Sequence, residues 1–201
     1  MPALLQPRVL RLAIKSLFSR PYTTSFPKVE HHPPPGFRGR VRFDAEACIG
    51  CGACAEVCPS KCIEVADDLG QDKPVRTLIQ DLDACIWCGQ CERYCPTGEG
   101  IQMTEEFIAT GRQPEDFEER VEKDLLLCEV CGEQLAPVDQ IRWLARRVGP
   151  LAFANPTLMM LSARDLGLVG KSVSAKDGVV HRSDRLKIQC PKCRRETAWK
   201  A

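Results

Sequence analysis

CIGCGACAEVCP (residues 48–59) and CIWCGQCERYCP (residues 85–96) share the frame C-I-x-C-G-x-C-x-x-x-C-P, offset by 37 positions. Four cysteines separated by two, two and three residues and closed by proline are the run that ligates 4Fe-4S cubanes in bacterial proteins. Three thiolates set three residues apart on a tightly curled backbone grip three corners of a cube. The fourth, held after a helical turn, points away, and in two-cluster proteins it ligates the other cluster. This reading assigns Cys48, Cys51, Cys54 and Cys95 to one 4Fe-4S cluster and Cys85, Cys88, Cys91 and Cys58 to a second. Eight thiols for zinc fit less well, because zinc knuckles are separated C-x-x-C pairs with no use for the third cysteine or the proline.

The residues around each run repeat as well. Gly52 and Gly89 let the backbone curl closely and aim amides at sulfur, while Pro59 and Pro96 turn the chain out. Ile49, Ile86 and Trp87 are expected to cover the clusters, and Cys62, outside the frame, reads as a small buried residue. An aliphatic strand follows each run, at Cys62-Ile63-Glu64-Val65 and Ile101-Gln102-Met103. With β signals at 41–43 and 75–79 these make two hairpins, and 53–57 and 90–94 are long enough for one or two helical turns. One supersecondary unit used twice gives an α+β fold.

The rest of the 201 residues sets limits. Lys plus Arg (28) balance Asp plus Glu (27), so no global field attracts nucleic acid or an anionic membrane. Three Trp, two Tyr and seven Phe are few anchors against 15 Pro and 14 Gly, so the core needs metal as a staple. An odd count of 13 Cys in tight runs argues against a secreted disulfide scaffold and for a reducing compartment. No apolar run approaches the roughly 18 residues of a membrane-spanning helix, and no signal-peptide pattern opens the chain.

The first 29 residues contain no acid, and Arg8, Arg11, Lys15 and Arg20 lie among Leu5, Val9, Leu12, Ile14, Leu17 and Phe18. Such a basic amphipathic helix suits docking at a membrane face; a mitochondrial transit peptide and an ordinary helix or frayed tail are the alternatives. Pro33-Pro34-Pro35-Gly36 then forms an extended strap. Downstream, PEDFEERVEKDLLL from Pro114 reads as a helix with acids in its first turn. A second helix capped by Asp139 carries Ile141, Leu144, Ala145 and Val148 on one face and stops at Gly149-Pro150. A third runs from Asn155-Pro156 to near Gly167, and the tail from Lys171 is expected to be basic and irregular. Two further pairs, Cys128-Glu129-Val130-Cys131-Gly132 and Cys190-Pro191-Lys192-Cys193, resemble the knuckles of a closed four-thiolate zinc site. The 58 residues between them exceed the usual spacer, though loop closure cost grows only logarithmically. A third iron-sulfur cluster, a redox dithiol and unmetallated or inter-subunit thiols stay open as readings of Cys128, Cys131, Cys190 and Cys193.

The cysteine repeat, the preceding Phe37-Arg38-Gly39-Arg40 and the basic amphipathic start resemble the ferredoxin-like chain I subunit of NADH-quinone oxidoreductase and its relatives in complex I-like membrane-bound NiFe hydrogenases. The run 101–107, Pro114-Glu115-Asp116-Phe117 and the two extra C-x-x-C pairs are similar to the iron-sulfur subunit of formate hydrogenlyase-type hydrogenases. The resemblance covers roughly residues 20–135. It implies a bacterial-type two-cluster ferredoxin fold at 40–110, an N-terminal helix and docking strap at 1–39, and a helical, zinc-ribbon-like extension at 111–201. It also implies an electron-relay subunit on the cytoplasmic side of the inner membrane, bound to hydrogenase-like or quinone-reductase-like subunits; a mitochondrial matrix location is the alternative. Clusters held wholly by cysteine leave no iron open to substrate, and the chain has no nucleophile with a base and no phosphate cradle, so no catalytic residue is expected. The tail is basic (Arg182, Arg185, Lys187, Lys192, Arg194, Arg195) but lacks interleaved aromatics apart from Trp199, which argues against nucleic acid as a partner.

Overall fold

The computed structural model describes residues 6–20, 23, 25–70, 73–108, 110–170 and 186–200. Residues 1–35 form one compact unit and residues 36–201 another. The first contains helix α1 (Pro7–Phe18), which starts with Pro7 at a position where the missing N–H costs nothing. Arg8, Arg11 and Lys15 recur at i, i+3 and i+7 and share one stripe, while Val9, Leu12 and Leu17 lie elsewhere on the surface and are exposed.

In the second unit, strands β1 (Val41–Phe43), β2 (Ile63–Asp68), β3 (Val75–Asp81) and β4 (Ile101–Met103) flank the two short helices α2 (Ala53–Glu56) and α3 (Gln90–Arg93). β1 pairs antiparallel with β4, and β2 with β3, so each pairing takes one strand from each half; only β2–β3 is an expected hairpin, since β1 reaches across the whole domain to β4 instead of to a neighbour in sequence. Val41, Ile63, Leu78 and Ile101 close the core between them. The repeat extends to the backbone. Gly50 and Trp87 occupy equivalent places and both have positive φ, 67° and 56°; Gly52 and Gly89 follow at 76° and 72°, and Lys61 and Gly98 at 52° and 77°. Trp87 and Lys61 thus hold conformations that glycine takes without cost.

Gly39 joins the strap to this sheet. Its N–H donates to the Thr104 carbonyl at 2.8 Å, and a Cβ would fall on the Glu106 carbonyl oxygen and 2.6 Å from that of Thr104. Gly39→Ala is therefore expected to destabilise the unit by about 1–3 kcal/mol, read as a lower midpoint of anaerobic thermal unfolding; an unchanged midpoint would mean that the contact opens freely.

The extension departs from the sequence expectation at its first element. Only Pro114–Phe117 is helical, as a 3-10 turn whose Arg112 and Gln113 amides donate to Asp116. Glu118–Leu127 is then a ten-residue strand, β5, paired antiparallel with β3 from Asp81↔Glu118 to Val75↔Asp124. Val121, Lys123 and Leu125 alternate inward, a period of two that the many charges conceal. β6 (Gln134–Pro137) completes a four-stranded sheet in the order β2-β3-β5-β6.

Helix α4 (Val138–Val148) follows at once. Asp139 lies inside its first turn instead of capping it, and its carboxylate accepts from Lys123 Nζ at 2.9 Å. Gly149, at φ 61°, ends the helix as expected. α5 (Pro156–Asp165) has the expected cap, Asn155 Oδ1 accepting from the Thr157 amide at 3.0 Å, and Gly167 turns at φ 71°. Arg142 on α4 forks onto Asp165 of α5 and holds its carboxyl below the usual range. The tail is not wholly irregular: Pro191–Lys200 forms α6, while residues 171–185, with Arg182 and Arg185, lie outside the described residues.

Candidate metal centres

The curl of residues 48–54 faces the β1–β4 pair. A cavity there is lined by the thiols of Cys48, Cys51, Cys54 and Cys95, with Phe43, Ile49, Leu78 and Ile101 as apolar walls. Three of these cysteines come from the first run and the fourth from the end of the second. Burial pushes the Cys54 thiol up to about 12, and the neighbouring Cys51 and Cys48 add to the rise; burial raises Cys48 as well. Crowded thiols in a dry wall cannot ionise together unless a cation joins them, and a coordinating thiol is deprotonated outright. The donor set and the apolar walls suit an iron-sulfur cluster.

The second curl repeats the arrangement. Burial lifts Cys91 to about 11, with Cys85 and Cys88 contributing. Cys58, the last cysteine of the first run, lies on this side: its Sγ is 3.5 Å from Cys62 Sγ, and Cys62 in turn feels Cys85. Cys62 is buried, as expected. Backbone amides reach sulfur in both halves, Gly50 N–H to Cys48 at 3.4 Å and Trp87 N–H to Cys85 at 3.5 Å. These donors stand two residues before the expected Gly52 and Gly89, which instead start α2 and α3.

Three features escaped the sequence reading. The hydroxyls of Ser60 and Thr97 lie 3.6 Å and 3.2 Å from the sulfurs of Cys58 and Cys95. Burial opposes ionisation of both thiols, but these hydroxyls and the amides around them outweigh it and pull both down. The signal was present in C-P-S and C-P-T, one in each repeat. Arg38 crosses from the strap to donate to the Cys88 carbonyl at 3.1 Å, and Arg40 reaches Glu119 at 3.0 Å, which gives the two arginines around Gly39 a structural purpose. Gln80, wholly buried on β3, directs its amide at Cys85 Sγ. Of the three side chains expected over the clusters, Ile49 is buried, Trp87 packs on the core and Ile86 lies at the surface, 60% exposed.

A third group assembles in the extension. The sulfurs of Cys128, Cys131, Cys190 and Cys193 all lie within 4.8 Å of one another, with Cys131 to Cys190 at 3.7 Å. Tetrahedral zinc with thiolates at about 2.3 Å requires sulfur separations of about 3.8 Å, so this donor set fits zinc. Helices α4 and α5 are looped out between the two pairs, and the long spacer is closed by local bonds. The Glu129 N–H donates to the Ile188 carbonyl, its carboxylate accepts from the Ile188 N–H, both at 2.9 Å, and Arg164 binds the same carboxylate. Gly132, at φ 75°, bends the first knuckle. Burial would raise Cys128, but amides of Cys131, Cys190 and Val130 outweigh it and bring the thiol to about 7. The neighbouring thiols of Cys131 and Cys193 are pushed up instead, so the four ionise together only when a cation joins them.

Residues 47–99 match the family model of the 4Fe-4S dicluster domain. Over 70 residues the chain is 37% identical to NADH-quinone oxidoreductase subunit I 1 of Geobacter sulfurreducens, covering 32% of this chain and 53% of that protein. Over 56 residues it is 38% identical to NADH-quinone oxidoreductase subunit I of Carboxydothermus hydrogenoformans, covering 28% and 40%. F(420)H(2) dehydrogenase subunit I of Methanosarcina mazei is 36% identical over 56 residues, covering 28% and 32%. The chain thus spans about half or less of the length of these relatives. One chain in the structure of the membrane-bound sulfane sulfur reductase, an archaeal respiratory membrane complex, is 29% identical with a TM-score of 0.38, covering 58% of this chain and 60% of that one. The segment that bears all eight cysteines of the doubled run thus matches the 4Fe-4S dicluster domain and is similar to subunit I of the NADH-quinone oxidoreductases.

Proposed function

We propose that this chain is an electron-transfer subunit that relays electrons through two 4Fe-4S clusters within a membrane-associated oxidoreductase complex. The observation that carries the proposal is the cavity shared by Cys48, Cys51, Cys54 and Cys95, which draws its fourth thiol from the other repeat. Cys85, Cys88, Cys91 and Cys58 hold the second cluster, and residues 40–110 form the two-cluster ferredoxin fold. When bound, the clusters supply one-electron carriers. The chain's own part is to hold the thiolates, to exclude water with Phe43, Ile49, Leu78 and Ile101, and to aim the Gly50 and Trp87 amides at sulfur. Cys128, Cys131, Cys190 and Cys193 hold a structural zinc that staples the extension, residues 111–201, in the manner of a zinc ribbon. The chain has no catalytic site of its own.

For the parent complex we favour the hydrogenase and formate hydrogenlyase type, on the two knuckles appended to the dicluster domain. The names of the matched relatives favour a second reading, chain I of a quinone-reducing complex. Identification of the subunits that co-purify with the chain separates the two, because hydrogen-evolving and quinone-reducing complexes differ in their other subunits. Anaerobic purification should give protein that dithionite reduces to a paramagnetic state, with about eight iron and eight labile sulfide per chain. A colourless, redox-silent protein would end the relay reading.

Among the described residues no helix is long and apolar enough to cross a membrane. Attachment at the cytoplasmic face falls to α1, with the Pro-rich strap within residues 1–39 as its tether. The cation stripe of Arg8, Arg11 and Lys15 faces lipid headgroups or an acidic membrane subunit. The full chain should bind vesicles containing anionic lipid, more weakly as salt rises, and R8E/R11E/K15E should lower that binding at least tenfold at low salt. Equal binding by the variant would assign attachment to another surface.

A further inference from the structure

We propose that Gln80 sets the two clusters apart in reduction potential by donating a side-chain hydrogen bond to one cluster ligand, Cys85; this rests on the relay reading above. The two halves of the domain are copies, and FDAEAC (residues 43–48) aligns with QDLDAC (residues 80–85). Phe43 and Gln80 are therefore equivalent. Phe43 is a wall of the cavity shared by Cys48, Cys51, Cys54 and Cys95. At the same place in the other half stands an amide, with Nε2 3.8 Å from Cys85 Sγ.

An amide is costly here. Gln80 is 0% exposed, on the central strand β3 between β2 and β5, and its Oε1 has no hydrogen-bond partner among the described residues. A buried unpaired acceptor costs about 1–3 kcal/mol, and a phenyl or aliphatic group would avoid it, as Phe43 does. The fold carries that penalty to place an NH2 against sulfur. Iron-bound thiolate has no proton to give, so it only accepts, which fixes the NH2 end of the amide toward Cys85.

The sign follows from charge. One-electron reduction adds one negative charge to a cluster and its thiolates, with the electron delivered by the reductant; Gln80 neither gains nor loses a proton, and no bond is made or broken at it. A hydrogen bond to sulfur is stronger in the more negative state, so the donor favours reduction and raises the potential of its own cluster. The partly buried cations near the other cluster do not duplicate this effect, because Lys123 is paired with Asp139 and Arg76 with Asp67. Gln80 acts through Cys85 and is a positioning residue.

The test is a dithionite titration of the anaerobic full chain, followed by electron paramagnetic resonance, for wild type, Gln80→Met and Gln80→Asn. Met keeps the length of Gln and removes both the donor and the orphaned acceptor. In Gln80→Met one cluster should become half-reduced at a lower potential while the other stays in place, iron content should hold, and thermal stability should be equal or higher. Gln80→Asn, which withdraws the amide by one methylene, should move the same cluster in the same direction. Coincident midpoints in wild type and Gln80→Met, with both clusters loaded, would overturn the proposal while the relay reading stands. Loss of a cluster from both variants would overturn it too, by making Gln80 a residue that holds the fold. A wild-type chain without clusters would overturn the relay reading and this inference together.

Discussion

Replacing Cys95 and Cys54 together by alanine should leave one working cluster, and replacing Cys95 and Cys91 together should leave none. The first pair falls on a single site if the quartets exchange their last members, because Cys54 and Cys95 line the same cavity. The second pair then strikes both sites. Iron should drop from about eight per chain to about four in Cys54→Ala/Cys95→Ala and to near zero in Cys91→Ala/Cys95→Ala. Without exchange the two results reverse, so iron and sulfide analysis of two proteins decides the assignment. Electron flow through the complex should stop in both, since a two-step relay with one carrier missing leaves a gap.

Cys128→Ser should release about one zinc per chain and leave the iron in place. The four tail sulfurs lie within 4.8 Å of one another, and the dicluster cysteines share no ligand with them. Binding energy at a structural zinc site is folding energy. The loss should therefore unlock residues 186–200, which are tied to the first knuckle chiefly through Glu129, Ile188 and the thiols themselves. Hydrogen exchange should rise in α6 and in the Cys128 turn while β1, β3 and β4 keep their protection. Loss of iron in place of zinc, or no loss of either, would overturn the zinc assignment.

The dicluster half was legible because its chemistry imposes spacing. Thiolates that must curl around a cube fix the frame of Cys48 to Pro59 and its copy, and strands bounded by glycine and proline fall out on either side. Asn155-Pro156 was equally plain, a cap and a first-turn proline in register. β5 was not. Its inward positions are Val121, Lys123 and Leu125, and a lysine in the middle hides the alternation. Lys123 is tolerated there because its stem is buried while Nζ reaches the Ala45 carbonyl at 2.6 Å and Asp139 at 2.9 Å, partners remote in sequence. Acids after Pro114 then read as a helix start, and the pull of β3, which outweighs local preference, is invisible to a window of one segment. Gln80 was missed for a related reason: nothing in Val75–Asp81 tells a solvent-facing glutamine from one sealed against sulfur. α6 has no clean apolar stripe, and it is set by Pro191 at its start and by the knuckle around Cys190 and Cys193.

β5 also decides what the outer borders of the four-stranded sheet can do. Without it, β3 would present seven residues of open N–H and C=O groups to any passing strand. With it, one border is β6, four residues long, ending in Pro137 next to an irregular register at Leu126 and Leu127. The other is β2, which carries Glu64, Asp67 and Asp68. Stubby, kinked and acidic margins disfavour β-augmentation of this four-stranded sheet, and stray copies gain little template there for fibre growth.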